Sequence, residues 1–193
     1  TPGTAWIVAT ASGHKPDSVQ YTVSGPPLAI NFGYTYPPMV GVGQTNSGYS
    51  VQTPNYLTQA LTVTLTSSDT TKLGLPASVT IPTGSYYAYF TATGKAPGID
   101  TILFTAPGYG SIGGAFVVSP PRLTACCNAT VNNFSSGGSV SANSTDSAYG
   151  AHPRVAPLTV SLYSTDTTKV RLDSSSLTIP AGQYYSTSAH WTP

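Results

Sequence analysis

The chain has 193 residues, 39% hydrophobic and only 7% charged, with seven Lys and Arg against six acids and a formal net charge of +1. An ordinary soluble domain carries about 25% charge, so this composition excludes a typical cytosolic enzyme surface. It argues equally against a nucleic-acid partner, because neutralising phosphates takes a basic patch and the basic residues here are scattered.

All six acids are Asp, Glu is absent, and the 24 Ser and 29 Thr together exceed a quarter of the chain. Helix interiors favour Glu, Lys, Gln and Leu, whereas Thr, Val, Ile and Tyr suit a pleated, half-buried surface. With 19 Gly and 17 Pro as turn formers, the composition predicts an all-β chain.

Residues 1–27 hold two alternating runs, one through Ile7, Ala9 and Ala11 and one through Tyr21 and Val23. A short strand is predicted at 28–32, followed by a Gly/Pro/Tyr-rich stretch containing Tyr34, Tyr36, Tyr49 and Tyr56. Within it, Gly41-Val42-Gly43 lacks the helix and phosphate context of a nucleotide loop and reads as a strand or turn. Residues 60–66 alternate strictly, Leu61, Val63 and Leu65 against Thr62, Thr64 and Thr66, the pattern of a half-buried antiparallel strand. Ser68-Asp69-Thr70-Thr71 is a turn, since an Asp side chain bonds backbone groups two residues on. Short strands at 72–75 and 78–81 flank Pro76. After a turn at Pro82-Thr83-Gly84 the strand 85–92 places Ala88, Phe90 and Ala92 inward. The strand 99–106 groups Ile102, Phe104 and Ala106, and 114–119 groups Phe116 and Val118. Cys126 and Cys127 are adjacent, which rules out a disulfide framework or a zinc site of spaced cysteines. Neighbouring cysteines can close a ring, but the simpler expectation is two small residues on opposite faces of a strand.

The chain repeats itself. Leu-Thr-Val-Thr-Leu-Thr-Ser-Ser-Asp-Thr-Thr-Lys at 61–72 recurs as Leu-Thr-Val-Ser-Leu-Tyr-Ser-Thr-Asp-Thr-Thr-Lys at 158–169, and Val-Thr-Ile-Pro-Thr-Gly-Ser-Tyr-Tyr at 79–87 recurs at 177–185. In the other direction, 2–24 matches 97–119, Pro2-Gly3 against Pro97-Gly98 and Val23-Ser24 against Val118-Ser119. Seven short strands in about 95 residues fit an immunoglobulin-like sandwich of about 100 residues. The expected organisation is thus tandem Ig-like β-sandwich repeats cut out of phase: 1–27 the C-terminal strands of a preceding repeat, 28–122 a complete repeat, and 123–193 the N-terminal part of a following one.

The segments Ser-Ser-Asp at 67–69, Pro-Ala-Ser-Val-Thr-Ile-Pro-Thr-Gly-Ser at 76–85, Phe-Thr-Ala-Thr at 90–93, Ala-Pro-Gly-Ile-Asp-Thr-Ile at 96–102 and Thr-Ala-Pro-Gly-Tyr at 105–109 resemble the bacterial Ig-like (Big-type) repeats found in tandem in large secreted and cell-surface proteins. The resemblance covers nearly all of 61–119, with partial copies at 1–27 and 158–185. It implies a place in a tandem array and supplies no catalytic residues, because such modules serve many functions.

The residues themselves offer no catalytic constellation. His14, His152 and His190 fall at unrelated repeat positions with no nucleophile elbow, and read as exposed or turn residues. Asp69 and Asp166 are repeat equivalents whose shared turn-capping role needs no catalysis. Asp100, where the partial copy has Ala5, is expected at the sandwich rim. No enzyme activity, cofactor or metal is expected, and no apolar run is long enough to read as a membrane span.

Two features remain. The 13 Tyr include Tyr86, Tyr87, Tyr89, Tyr184 and Tyr185, which are expected to face outward as a surface for packing on protein or for contact with glycans. Asn128, Asn133 and Asn143 begin Asn-x-Ser/Thr triplets and are candidate glycosylation sites. The sequence reading is an extracellular or cell-surface structural module, part of a fibre, stalk or adhesin. Its partners are neighbouring repeats or copies of itself, and subunits can join by strand addition. The competing reading is a carbohydrate-binding accessory module that uses the outward Tyr.

Overall fold

The computed structural model describes residues 2–33, 37–127, 130, 132 and 136–193, and every element among them is a strand or turn. The strands are β1 (Gly3–Ala9), β2 (Asp17–Val23), β3 (Ala29–Asn31), β4 (Met39–Gly41), β5 (Thr45–Gln52), β6 (Leu61–Ser67), β7 (Leu73–Gly74), β8 (Ser78–Ile81), β9 (Tyr87–Gly94), β10 (Gly98–Thr105) and β11 (Ile112–Ser119). They continue as β12 (Arg122–Ala125), β13 (Gly138–Val140), β14 (Ala142–Thr145), β15 (Leu158–Ser161), β16 (Arg171–Leu172), β17 (Ser176–Ile179) and β18 (Ala189–Thr192).

β3 to β11 form an immunoglobulin-like sandwich, with one sheet ordered β4-β11-β10-β6-β8 and the other β3-β5-β9-β7. Alternation places the side chains. On β6, Val63 and Leu65 are buried while Thr62 and Thr64 face water, and on β9 Phe90 and Ala92 are buried while Tyr87 and Tyr89 are exposed. Fourteen buried apolar residues close this core, and Ile102, Phe104, Phe116 and Val118 from the β10–β11 hairpin are four of them. Tyr49 stands in its middle with Phe32, Phe90 and Phe116 around it. Its hydroxyl donates to the Met39 carbonyl at 2.7 Å, and burial pushes its pKa up to about 12.

β4 and β5 arise where the sequence shows only a Gly/Pro/Tyr-rich stretch. The reason is visible in β5, whose pairing with β9 shifts register between Asn46 and Tyr49. A bulge breaks the period of two by which a strand is recognised.

The turns after β6 and β15 share one structure. Asp69 accepts the Thr71 amide at 3.1 Å and hydroxyl at 2.5 Å, and Lys72 lies 2.9 Å from its other oxygen. Asp166 does the same with Thr168 and Lys169. The Thr71 hydroxyl, then Lys72, hold the Asp69 carboxyl down at about 2.

β1 and β2 make a hairpin of their own, exposed at every position. Its register runs from Gly3 opposite Val23 to Ala9 opposite Asp17. The β10–β11 register, Gly98 opposite Val118 to Phe104 opposite Ile112, is the same ladder 95 residues on.

A second β body spans β12 to β18 in three small sheets, β12-β14, β13-β18-β16 and β15-β17. Its core has five buried apolar residues, Ala142, Val160, Leu177, Ile179 and Ala189. The cysteines depart from expectation, because Cys126 and Cys127 are joined to each other in a disulfide. Successive strand side chains point to opposite faces, so two bonded neighbours cannot continue a strand. β12 accordingly stops at Ala125, and Cys127 takes φ 82°.

Candidate functional site

The buried polar residues of the molecule concentrate where the sandwich meets the second body. Gln44, Ser119, Ser144, Thr145 and Asp146 are all buried there. Gln44 follows the turn Gly41-Val42-Gly43, in which Gly43 has φ +72° and suits a residue without a Cβ. Its Oε1 accepts the Gly41 amide at 3.0 Å, and its Nε2 donates to Ser144 Oγ at 2.7 Å across the joint. Backbone bonds flank it: the Thr45 amide donates to the Pro153 carbonyl at 2.8 Å, and the Val155 amide to the Gly43 carbonyl at 2.9 Å. The Ser147 amide donates to Ser119 Oγ at 3.1 Å.

The loop behind this contact is braced from within. Asp146 accepts the amides of Ala148 and Gly150, each at 2.8 Å, and its other oxygen lies 3.0 Å from His152 Nε2. A Cβ at Gly150 would come within 2.6 Å of that oxygen. Arg122 stacks over the Tyr149 ring at 4.3 Å. His152, expected as an exposed or turn residue, lies in this loop as a largely buried partner of a buried carboxylate. The pair's other bonds go to backbone amides, which makes it a brace for the loop.

Asp100 is only 1% exposed beside the turn that follows β6, where it accepts Ser67 Oγ and Ser68 Oγ at 2.5 Å and the Asp69 amide at 2.9 Å. Burial opposes its charge, but these hydrogen bonds outweigh burial and hold its carboxyl below the ordinary Asp value. Among the described residues no group of three or more His, Cys, Asp or Glu could hold a metal ion.

The tyrosines make a second surface. Tyr56, Tyr86, Tyr87 and Tyr89 touch in series with ring centroids 5.1, 5.1 and 5.3 Å apart and planes inclined by 77°, 67° and 78°. Tyr184 and Tyr185 pack likewise at 5.2 Å and 76°. Edge-to-face contact favours each pair, but rings so steeply crossed do not share one flat face. Of the candidate glycosylation residues, Asn128 and Asn133 lie outside the described residues, as do Tyr34 and Tyr36. Asn143 is half-buried in β14, opposite Thr124 and bridged to Tyr185.

The sequence singled out the Tyr surface and the Gly41–Gly43 turn but missed Gln44, Ser144 and Asp146. Gln44 immediately follows that turn, the one local signal of a special position.

No family model and no curated protein matches the chain. Among solved structures, domains 4-9 of the surface layer protein SbsC are 16% identical with a TM-score of 0.44, covering 98% of this chain and 30% of that one. A longer SbsC structure gives 16% and 0.42, with the chain spanning 25% of its length. The D0-D1 domain of intimin gives 14% and 0.34, covering 79% of each. These neighbours are bacterial surface proteins.

Proposed function

We propose that this chain is an extracellular structural module, a segment or subunit of a surface fibre, stalk or adhesin built from Ig-like units. In this reading 1–27 are closing strands of one unit, 28–122 a whole unit and 123–193 the opening part of another, with strand addition joining subunits. The observation that carries it is the joint around Gln44. A flexible tether needs only a polar linker. Here Pro120 and Pro121 restrict the connecting backbone, and buried polar groups with directional bonds fix one arrangement of the two bodies. Such a joint sets reach and angle, which is what a stalk requires.

Amide hydrogen exchange tests it. Thr45 and Val155 should exchange as slowly as the amides of β10. The Gln44→Ala variant should lose that protection while β10 keeps it. Fast exchange at Thr45 and Val155 in the unmodified chain would mean an open hinge and defeat the reading.

The exposed Tyr56–Tyr89 series supports a second reading, carbohydrate binding. A glycan array decides it. The structural reading expects no binding. Glycan capture abolished by Tyr87→Ala and Tyr89→Ala, with the fold intact, would make the binding module the better account.

A further inference from the structure

We propose that the Cys126–Cys127 disulfide is a thiol-operated switch at the end of β12: an external dithiol opens it, and the opened chain extends the β12–β14 ladder by the step that pairs Cys126 with Ser141. This switch is independent of the structural-module reading.

The first sandwich shows what the same stretch of backbone does without the disulfide. The offset of 95 that relates Val23 to Val118 carries Leu28 onto Leu123 and Asn31-Phe32 onto Cys126-Cys127. The pairings agree, since Ala125 lies opposite Ala142 as Ile30 lies opposite Val51. In the sandwich the ladder continues, with Asn31 opposite Ser50 inside β3. Phe32 then turns inward to meet Tyr49 and Phe116 at ring-centroid distances of 5.4 and 6.3 Å. In the second body the strand halts one residue earlier, at Ala125. One bond of the next step survives, the Cys126 amide donating to the Ser141 carbonyl at 2.8 Å. The return bond does not: among the described residues the Ser141 amide donates to no backbone carbonyl.

The covalent link accounts for the loss. Neighbouring side chains of a strand point to opposite faces, so joining Cys126 to Cys127 takes the backbone out of the extended form. Cys127 has φ 82°, a region where a Cβ crowds the backbone and residues other than glycine are uncommon. Rotation about that φ turns the peptide carrying the Cys126 carbonyl, the acceptor that the Ser141 amide lacks. Once the sulfurs part, Cys127 returns to negative φ, the carbonyl swings to the Ser141 amide, and β12 gains the step that β3 has. The ladder that lengthens is the one that presents Ser144 to Gln44.

The chemistry is thiol–disulfide exchange. Cys126 is exposed, and so is Asn31 at the same place in the first sandwich, so the attack falls on Cys126 Sγ. A thiolate of the dithiol bonds to Cys126 Sγ as the Cys126–Cys127 bond breaks, and Cys127 leaves as a thiolate. The second thiol of the reagent then attacks the reagent's own sulfur in the mixed disulfide, and Cys126 leaves in turn. The reagent ends as a cyclic disulfide, oxidised by two electrons, and its two thiol protons end on the two cysteines. In an oxidising compartment the closed form persists.

Amide exchange of the 193-residue chain with and without dithiothreitol tests the proposal, and alkylation in denaturant after brief native treatment measures opening. The untreated chain should take up no alkyl group, and the treated chain should take up one on each of its two Cys. On treatment the Ser141 amide should exchange about fivefold more slowly, the worth of one added backbone hydrogen bond. The Asn143 amide, already within the ladder opposite Thr124, should not change. The double variant Cys126→Ser, Cys127→Ser should show slow Ser141 exchange with and without the reagent. If that variant does not fold, the treated parent still decides. A chain that resists the reagent or is alkylated before it, a Ser141 amide that exchanges at one rate in both states, or a folded double variant with fast Ser141 exchange overturns the proposal.

Discussion

Asp100 shows how period can assign a residue's face while its partners stay hidden. It shares the inward face of β10 with Ile102 and Phe104, so alternation alone puts it inside. A carboxylate is expensive to bury unless it is hydrogen-bonded, and its donors lie more than 30 positions back at Ser67, Ser68 and Asp69. Nothing local announces them. Asp100→Asn should cost about 2 kcal/mol, the scale of hydrogen bonds to a charged group, read as a lower urea midpoint. The pH dependence has a definite sign. Because the folded pKa lies below the unfolded one, this contribution is complete above the ordinary Asp pKa of about 3.9 and disappears as pH falls through the lower folded value. The Asn variant should therefore lose less stability than the parent on acidification. Asp69 and Asp166, whose pKa values are lowered in the same direction, contribute acid sensitivity of the same sign.

Among elements, those with clean alternation were legible: β6, β9, β10 and β11 bury the residues that their period assigns to one face. β4 and β5 were not, because the bulge in β5 and the shortness of β4 leave no period to count. The close approach between β4 and β9 was equally hidden. Gly94 donates its amide to the Gln44 carbonyl at 3.0 Å and accepts the Gly43 amide at 2.8 Å. A Cβ there would collide with the backbone carbonyl of Gly41. Gly94→Ala should thus destabilise the sandwich by about 1–3 kcal/mol, the usual cost of overpacking, in the same urea experiment. Gly74→Ala is the control. Its Cβ would meet the flexible Lys95 Cε at 3.0 Å, a neighbour able to move, so the loss should stay within about 0.5 kcal/mol.

At the scale of the whole molecule, the two bodies are tied by a few buried polar groups. Removing the Gln44 side chain leaves the Gly41 amide and Ser144 Oγ without the partners they have at 3.0 and 2.7 Å. At about 1 kcal/mol or more for each orphaned group, Gln44→Ala should weaken the joint by about 2 kcal/mol. That corresponds to roughly 30-fold faster exchange at Thr45 and Val155. The β10 amides, protected by their own ladder, should not follow. Composition, alternation and repeats determined by themselves that the chain is all-β, Ig-like and internally repeated, which strand faces are apolar, and that Asp69 and Asp166 cap turns. The strand faces and the capped turns depend on neighbours within a few positions, and the repeat is read directly by aligning the chain with itself. Tertiary structure alone decided the burial of Asp100 and the pairing of His152 with Asp146. It also decided the joint itself, since Gln44 and Ser144 meet across 100 positions of chain, and a polar residue's role is set by the partner the fold brings to it.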